Sequence, residues 1–255
     1  MKTKNLYGSW VVGLLLLTSC LGDGGTGMTL GSQTGVVTLV PEQVICLNNG
    51  ELISSPEFQK QSVSDGDCCL IDYSVNFGSL QNGSGDKGYY LGEISNYTNV
   101  NKWPLNPTLT DTARVILGEK TIAGINQRNS YILGRFFLFS EHQIDSTKVT
   151  ASFDLSYDPK QKVSVNDKGQ RVYNLFLRVL MKQESGGSLK PGRLIIPNAF
   201  AIQKFVETAG AVEKQAGGEN LYFCINYVKG FNRDTTAVTW ASSDVFTLTL
   251  PNKNN

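Results

Sequence analysis

His142 is the only histidine of the chain, and histidine is the side chain most often used as a general base near neutral pH. It lies in Ser140-Glu141-His142-Gln143, a polar stretch between predicted strands. A nucleophilic triad would need a carboxylate to orient the imidazole, and Glu141 or Asp145 is available by sequence. Because the stretch has the composition of a loop, we interpret His142 as a solvated loop histidine. No segment marks out a pair of carboxylates for glycoside cleavage either. We therefore expect no catalytic residue and no enzymatic activity.

The body of the chain contains four cysteines, at Cys46, Cys68, Cys69 and Cys224. The neighbouring Cys68 and Cys69 would point to opposite faces of a strand, so they are not expected to serve one tetrahedral site. There is no CxxC motif, and the spacing predicts neither a metal nor a cofactor. Cys46 could form a disulfide with Cys68 or Cys69 on paired strands. The alternative, which the spacing favours, is that the thiols pack as small apolar groups.

The first twenty residues have the pattern of an export signal. A short basic region, Met1 to Lys4, precedes an apolar stretch from Trp10 to Leu17, which is too short to span a bilayer. The following Leu17-Thr18-Ser19-Cys20 resembles the lipobox of bacterial lipoproteins. This resemblance implies cleavage before Cys20, acylation of its thiol and anchoring in membrane lipid.

The charge balance excludes one class of partner. The chain has 23 Lys and Arg residues against 22 Asp and Glu residues, without a long run of either sign. Nucleic-acid binding needs clustered cations, so we expect no nucleic-acid partner.

Short blocks rich in Val, Ile, Thr, Tyr and Phe alternate with Gly, Asn, Asp and Ser clusters, which predicts a mainly β protein. Asn48-Asn49-Gly50 is typical of a hairpin turn, and the segment from Cys69 to Phe77 alternates as a half-buried strand does. Two prolines within Trp103 to Pro107 indicate a stiff connector between two domains. We predict a signal peptide (1–19), a flexible tether (20–35), a small OB-like barrel (36–105) and a β-sandwich domain (106–255).

The predicted β-sandwich contains one short helix. Residues from Lys148 to Tyr157 alternate with apolar side chains on one face, as expected for a strand of the sandwich. Asn198 has the character of an N-cap, so the helix is expected to run from there to about Ala211.

Taken together, these features resemble the NigD-like lipoproteins of the Bacteroidetes. The residues that carry the resemblance are Leu17 to Cys20, Asn49-Gly50, Asp65-Gly66-Asp67 leading into Ile71-Asp72-Tyr73, and Tyr222 to Tyr227. The resemblance implies an OB-like N-terminal barrel followed by a β-sandwich, without enzymatic activity. It also implies attachment to the outer membrane, and leaves open whether the body faces the periplasm or the cell surface.

Aromatic side chains are the remaining candidates for ligand contacts, since flat rings suit sugars and peptides. The candidates are Tyr89, Tyr90, Tyr97, Trp103 and Trp240, with Tyr222 and Tyr227 as further members. Core packing is the alternative for all of them.

Three functions compete. The first is a non-enzymatic module of the cell envelope that binds another protein or an envelope glycan. The second is a carbohydrate-binding lipoprotein of a glycan-uptake system. The third is a fimbrillin-like structural subunit, against which the late position of the first arginine, Arg114, counts.

Overall fold

The computed structural model describes residues 27–79, 82, 88–146, 148–184 and 189–251. The first strands are β1 (Gly27–Thr38), β2 (Val44–Leu47), β3 (Leu52–Ser54), β4 (Cys68–Asn76) and β5 (Tyr90–Asn106). A 3₁₀ turn, Phe58–Lys60, follows β3. No helix in these ranges is long and apolar enough to cross a membrane. Cys20 and the other residues of the predicted lipobox lie outside the described residues.

The first five strands form a closed barrel. β1 pairs with β2 and β4, β2 pairs with β3, and β5 closes the ring by pairing with both β3 and β4. Gly50 lies in the predicted turn between β2 and β3, where it adopts a positive φ of 83°. Alternate residues of β4, namely Cys69, Ile71 and Tyr73, fill the barrel interior. The predicted OB-like barrel is confirmed.

The second part continues with strands and one helix. The strands are β6 (Gly124–Ile132), β7 (Arg135–Ser146), β8 (Val149–Ser156), β9 (Ser164–Val165), β10 (Arg171–Gln183), β11 (Leu189–Ala201), β12 (Asn220–Phe231), β13 (Val238–Ser242) and β14 (Phe246–Thr249). The helix, α1, spans Gln203–Gln215 and connects β11 to β12.

These strands form two layers around one core. One layer has the order β5-β11-β7-β6, and the other has β8, β10, β12 and β13 side by side with β14 on β12. Phe136 and Phe200 of the first layer and Phe223 of the second meet in the main hydrophobic cluster. Phe205 of α1 joins the same cluster, so the helix covers part of this core. The predicted fold class, a barrel followed by a β-sandwich with one helix, is confirmed.

Strand β5 belongs to both parts of the molecule. Its first half pairs with β4, and its last residues, Asn101–Asn106, pair in parallel with β11 and β8. The prediction of a connector from Trp103 to Pro107 is therefore wrong for the residues up to Asn106, which belong to strand β5. Pro104 is accommodated in a parallel pairing with Ala201. The division into domains at residue 105 stays a prediction, although each side has its own buried cluster.

Two further boundaries differ from those expected. The predicted tether runs to residue 35, but β1 begins at Gly27 because its backbone pairs with β4, Gly27 opposite Asn76. The predicted helix start at Asn198 is also wrong. Asn198 is fully buried in β11, between Asn101 and Leu138, and the helix begins only at Gln203. Tertiary pairing of the strand overrides the local N-cap signal.

Candidate ligand-binding cleft

A cleft of about 730 Å³ lies between helix α1 and the segment that follows β8. We call it the α1 cleft. One wall consists of residues 157–163, the other of α1 residues from Lys204 to Val212, and Arg171 and Tyr173 of β10 lie between them. This volume is in the range of protein sites for small ligands, roughly 300–1,000 Å³.

A polar triad with a buried carboxylate lies on strand β10 and helix α1 beside the cleft. The Tyr173 hydroxyl donates a hydrogen bond of 2.7 Å to Oε1 of Glu213, and Arg171 Nε lies 3.1 Å from each Glu213 oxygen. The Glu213 side chain is only 6% exposed, whereas that of Arg171 is 44% exposed. Burial, followed by the hydrogen bond to Glu213, raises the pKa of Tyr173 to about 12. The phenol is therefore a neutral hydrogen-bond donor, and the triad fixes α1 on the sheet.

The walls of the α1 cleft are largely apolar. Phe205 packs edge-on against Tyr157 and Tyr173, with ring centroids 5.3 and 5.8 Å apart. Val163 lines the opposite wall, and Val212 is an apolar helix residue that is 48% exposed there. An apolar side chain half-exposed in a concave surface is what a ligand-binding wall requires.

The wall formed by residues 157–163 is held on β10 by a side chain. Gln161 donates from Nε2 to the Asn174 carbonyl oxygen at 3.2 Å, and its Oε1 accepts the Asn174 backbone N–H at 2.7 Å. Asp158 accepts the backbone N–H of Lys160 at 2.8 Å, which shapes the turn. The cleft is therefore preformed rather than dependent on closure.

Two lysines line the α1 cleft, one on each wall. Lys162 on the loop wall and Lys204 on the helix wall are exposed. Within the described ranges neither makes an ion pair. Together with Arg171, they give the cleft three cations; Asp158 is the carboxylate in its lining, and Glu213 is the buried partner of Arg171 beside it.

A second groove, of about 600 Å³, lies on the other side of α1, against β14 and the β6–β7 turn. Leu133 and Gly134 form this turn with φ values of 46° and 81°. The Leu133 side chain is 57% exposed. Its backbone adopts a positive φ, a conformation that is disfavoured for leucine. Unlike the α1 cleft, this groove has no buried polar group identified on its floor.

The aromatic residues singled out by sequence are not brought together on one face. Tyr90 and Tyr97 pack against the barrel core, and the Tyr89 hydroxyl bonds to Glu42. In the second part, Trp103 donates to Asn198 Oδ1 at 2.8 Å, and Trp240 donates to the Thr112 carbonyl at 2.8 Å. Tyr227 is buried and Tyr222 half-buried. Most of these rings are partly buried and pack against or bond to neighbouring residues, and their role as ligand contacts stays a prediction.

The interpretation of His142 as a solvated loop residue is wrong. His142 is fully buried on β7, with Nε2 2.8 Å from Ser140 Oγ and its ring 5.7 Å from that of Phe153. Burial lowers its pKa to about 4, with the Thr121 backbone opposing this shift. A neutral imidazole enclosed in the core has no route to a substrate, so this histidine is structural.

The four cysteines of the described residues, Cys46, Cys68, Cys69 and Cys224, are free thiols. Cys69 faces the barrel interior, whereas Cys68 lies in a separate buried cluster with Val100 and Phe137. Their predicted placement on opposite faces is therefore confirmed. Cys46 and Cys68 pair with the same residue, Val36, from opposite sides of β1, which keeps them two strands apart. Burial raises the pKa of Cys68 to about 11 and that of Cys69 to about 12, so neither is an activated nucleophile. No cluster of three metal-ligating side chains occurs in the part of the chain that the structure describes.

One buried ion pair was not predicted from the sequence. Arg178 Nη1 lies 2.9 Å from Glu119 Oε1, and both side chains are at most 1% exposed. Arg178 also donates to the carbonyl oxygens of Asp111 and Arg114 and lies over the ring of Trp240. The pair fastens the long segment between β5 and β6 to the sheet, away from the α1 cleft.

The barrel is the part of the chain that known families identify. Residues 25–98 match the family model of the lipoprotein OB domain. This match covers β1–β4 and the first half of β5, which are the strands of the barrel. The expected resemblance to Bacteroidetes lipoproteins with an OB-like N-terminal domain is confirmed. Among curated proteins, no significant match to the sequence was found.

Solved structures share the fold over most of the chain. An uncharacterized protein from Parabacteroides merdae is 19% identical with a TM-score of 0.76, over 86% of this chain and 98% of that one. A candidate lipoprotein from Bacteroides fragilis is 10% identical with a TM-score of 0.52, over 89% and 99%. A NigD-like immunity protein from Bacteroides caccae is 12% identical with a TM-score of 0.47, over 87% and 96%. The Parabacteroides merdae and Bacteroides fragilis structures share the fold of the barrel and the sandwich together.

Proposed function

We propose that this protein is a membrane-anchored lipoprotein of the cell envelope, and that its sandwich part binds a small extracytoplasmic ligand in the α1 cleft without transforming it. The observation that carries the proposal is the cleft itself, which Arg171 and Tyr173 of β10 line together with apolar side chains, and beside which both residues bond to Glu213 of α1. The lipoprotein OB match and the sequence Leu17 to Cys20 support the location.

Binding without chemistry is supported by the groups that the cleft provides. The phenol that lines it, Tyr173, has a raised pKa, and Glu213 beside the cleft is already engaged by two partners. A phenol with a raised pKa is not a base near neutral pH. The two lysines of the cleft, Lys162 and Lys204, are exposed and hydrated.

A substitution that fills the cleft provides the test. Thr208 is exposed on α1 and lines the α1 cleft, whereas Ala211 is exposed on the same helix and lines the second groove. The protein would be screened by thermal shift against fatty acids, oligosaccharides and peptides, with each hit assayed for turnover. We expect a hit whose stabilisation is lost in Thr208→Trp and kept in the matched control Ala211→Trp.

The screen also has outcomes that contradict the proposal. Loss of binding in Ala211→Trp alone would place the site in the second groove. Turnover of a hit would show an enzyme. An oligosaccharide hit that survives Thr208→Trp would favour the carbohydrate-binding alternative, for which the scattered aromatics give no support.

A further inference from the structure

We infer that the ligand of the α1 cleft is a monoanionic amphiphile, an aliphatic or aromatic body with one carboxylate. This inference rests on the proposed function and names the chemical class that the cleft selects. Two independent properties of the cleft lead to it, the apolar walls and the sign of the charge at the rim.

The apolar part of the ligand is defined by the two walls. Val212 from α1 and Val163 from the loop wall line the cleft, and the ring of Phe205 is buried beneath its surface. Because burial of apolar surface is favourable, an alkyl chain or an aromatic ring is favoured over a sugar. The rings of Tyr157 and Tyr173 already pack against Phe205, and so offer no free flat platform for a pyranose.

The charged part of the ligand is defined by the cations of the cleft. Lys162, Lys204 and Arg171 line it, and the opposing carboxylates are Asp158 in the lining and Glu213, the buried partner of Arg171 beside the cleft. Glu213 is already bound by Arg171 and Tyr173, and Asp158 by the turn that contains it. The three cations and two carboxylates leave a net charge of +1. Lys162 and Lys204 have no ion-pair partner among the described residues. A single carboxylate balances this excess, whereas a cation would add to it.

Each wall of the cleft carries one lysine, Lys162 on the loop wall and Lys204 on the helix wall. We therefore expect the cleft to select a carboxylate over a neutral or cationic group. We expect the carboxylate to accept a charge-assisted hydrogen bond from Lys162 or Lys204 while the apolar body occupies the space between the walls. Hydrogen bonds to charged groups contribute about 1.5–3 kcal/mol, which corresponds to an affinity change of about tenfold or more.

Three probes of equal chain length separate charge from hydrophobicity: decanoate, decanol and decyltrimethylammonium. Their binding to the full chain carrying Cys20→Ala, which removes the predicted acylation site, would be measured by titration calorimetry. We expect decanoate to bind about tenfold more tightly than decanol, and the ammonium compound to bind least. Lys162→Gln with Lys204→Gln should lower decanoate affinity about tenfold and leave decanol unchanged.

The matched control is Lys60→Gln, an exposed lysine in the barrel, which should change none of the three affinities. Equal affinity for decanoate and decanol, or an unchanged decanoate affinity in the double variant, would overturn the inference and leave the proposed cleft intact. Absence of binding by all three probes would also overturn it. The screen with Thr208→Trp then decides separately whether the cleft binds any other ligand.

Discussion

The hydroxyl of Tyr173 on β10 donates to Oε1 of Glu213 on α1 at 2.7 Å, and this bond joins the sheet to the helix beside the α1 cleft. Glu213 would otherwise be a buried carboxylate supported by Arg171 alone. The bond therefore determines both the position of the helix wall and the polarity beside the cleft.

Removing this hydroxyl should weaken the protein measurably. Tyr173→Phe keeps the ring against Phe205 but leaves the buried Glu213 oxygen without one donor, so we expect a loss of about 1–2 kcal/mol in the free energy of unfolding. Urea denaturation gives the value. The control is Tyr222→Phe on the neighbouring strand, where we expect less than about 0.5 kcal/mol. Equal losses in the two variants would contradict a special role for the Tyr173–Glu213 bond.

The buried pair of Arg178 and Glu119 should be far more sensitive than an exposed one. Arg178→Met leaves Glu119 as an uncompensated buried charge, for which a loss of about 3–5 kcal/mol is expected. The control is Arg193→Met, because the Arg193 side chain is 74% exposed in its pair with Glu141 and should contribute at most about 1 kcal/mol. Denaturation curves measure both, and limited proteolysis between residues 107 and 123 should report release of the segment. Similar losses of unfolding free energy in both variants would show that the buried pair does not hold the segment between β5 and β6 on the sheet.

His142 should make stability depend on pH. Its pKa is about 4 in the folded protein and 6.5 ordinarily, so between these values the unfolded chain binds a proton that the folded protein does not. Stability attributable to this group is complete above pH 6.5 and is lost as the pH falls towards 4. The loss amounts to about 3 kcal/mol at most. His142→Gln should flatten the decline in stability between pH 7 and 4.5, and an unchanged slope would contradict burial of a neutral imidazole.

Cys20 is predicted to carry the membrane anchor. Because Leu17 to Cys20 resembles a lipobox, Cys20→Ala should abolish palmitate labelling and release the protein from the membrane fraction. Cys46→Ala is the control, since this thiol belongs to the barrel and should leave labelling unchanged. Labelling that persists in Cys20→Ala would show that this cysteine is not acylated.

Local patterns predicted the strands well where alternation is regular. The segment from Lys148 to Tyr157 became β8, with Phe153, Leu155 and Tyr157 in the core as expected. The same logic separated Cys68 from Cys69. These predictions succeed because the side-chain period of a strand is a local property.

Long-range pairing decided the features that the sequence did not predict. Asn198 reads locally as a helix cap, yet it lies in β11 and accepts a hydrogen bond from Trp103. The polar stretch around His142 reads as a loop, but β7 carries that side chain into the core opposite Leu194. The α1 cleft is assembled from three segments that are distant in sequence, and none of them has a signature by itself. Only the tertiary arrangement of β10 and α1 shows it.

The location of a bound ligand tests the central claim most directly. Methyl NMR of the protein, titrated with the ligand that the screen identifies, reports separately on Val163 and Val212 in the α1 cleft and on Leu133 and Leu248 in the second groove. The account predicts saturable shifts at Val163 and Val212 and none at Leu133 and Leu248. Shifts confined to Leu133 and Leu248, or to the barrel, would contradict it.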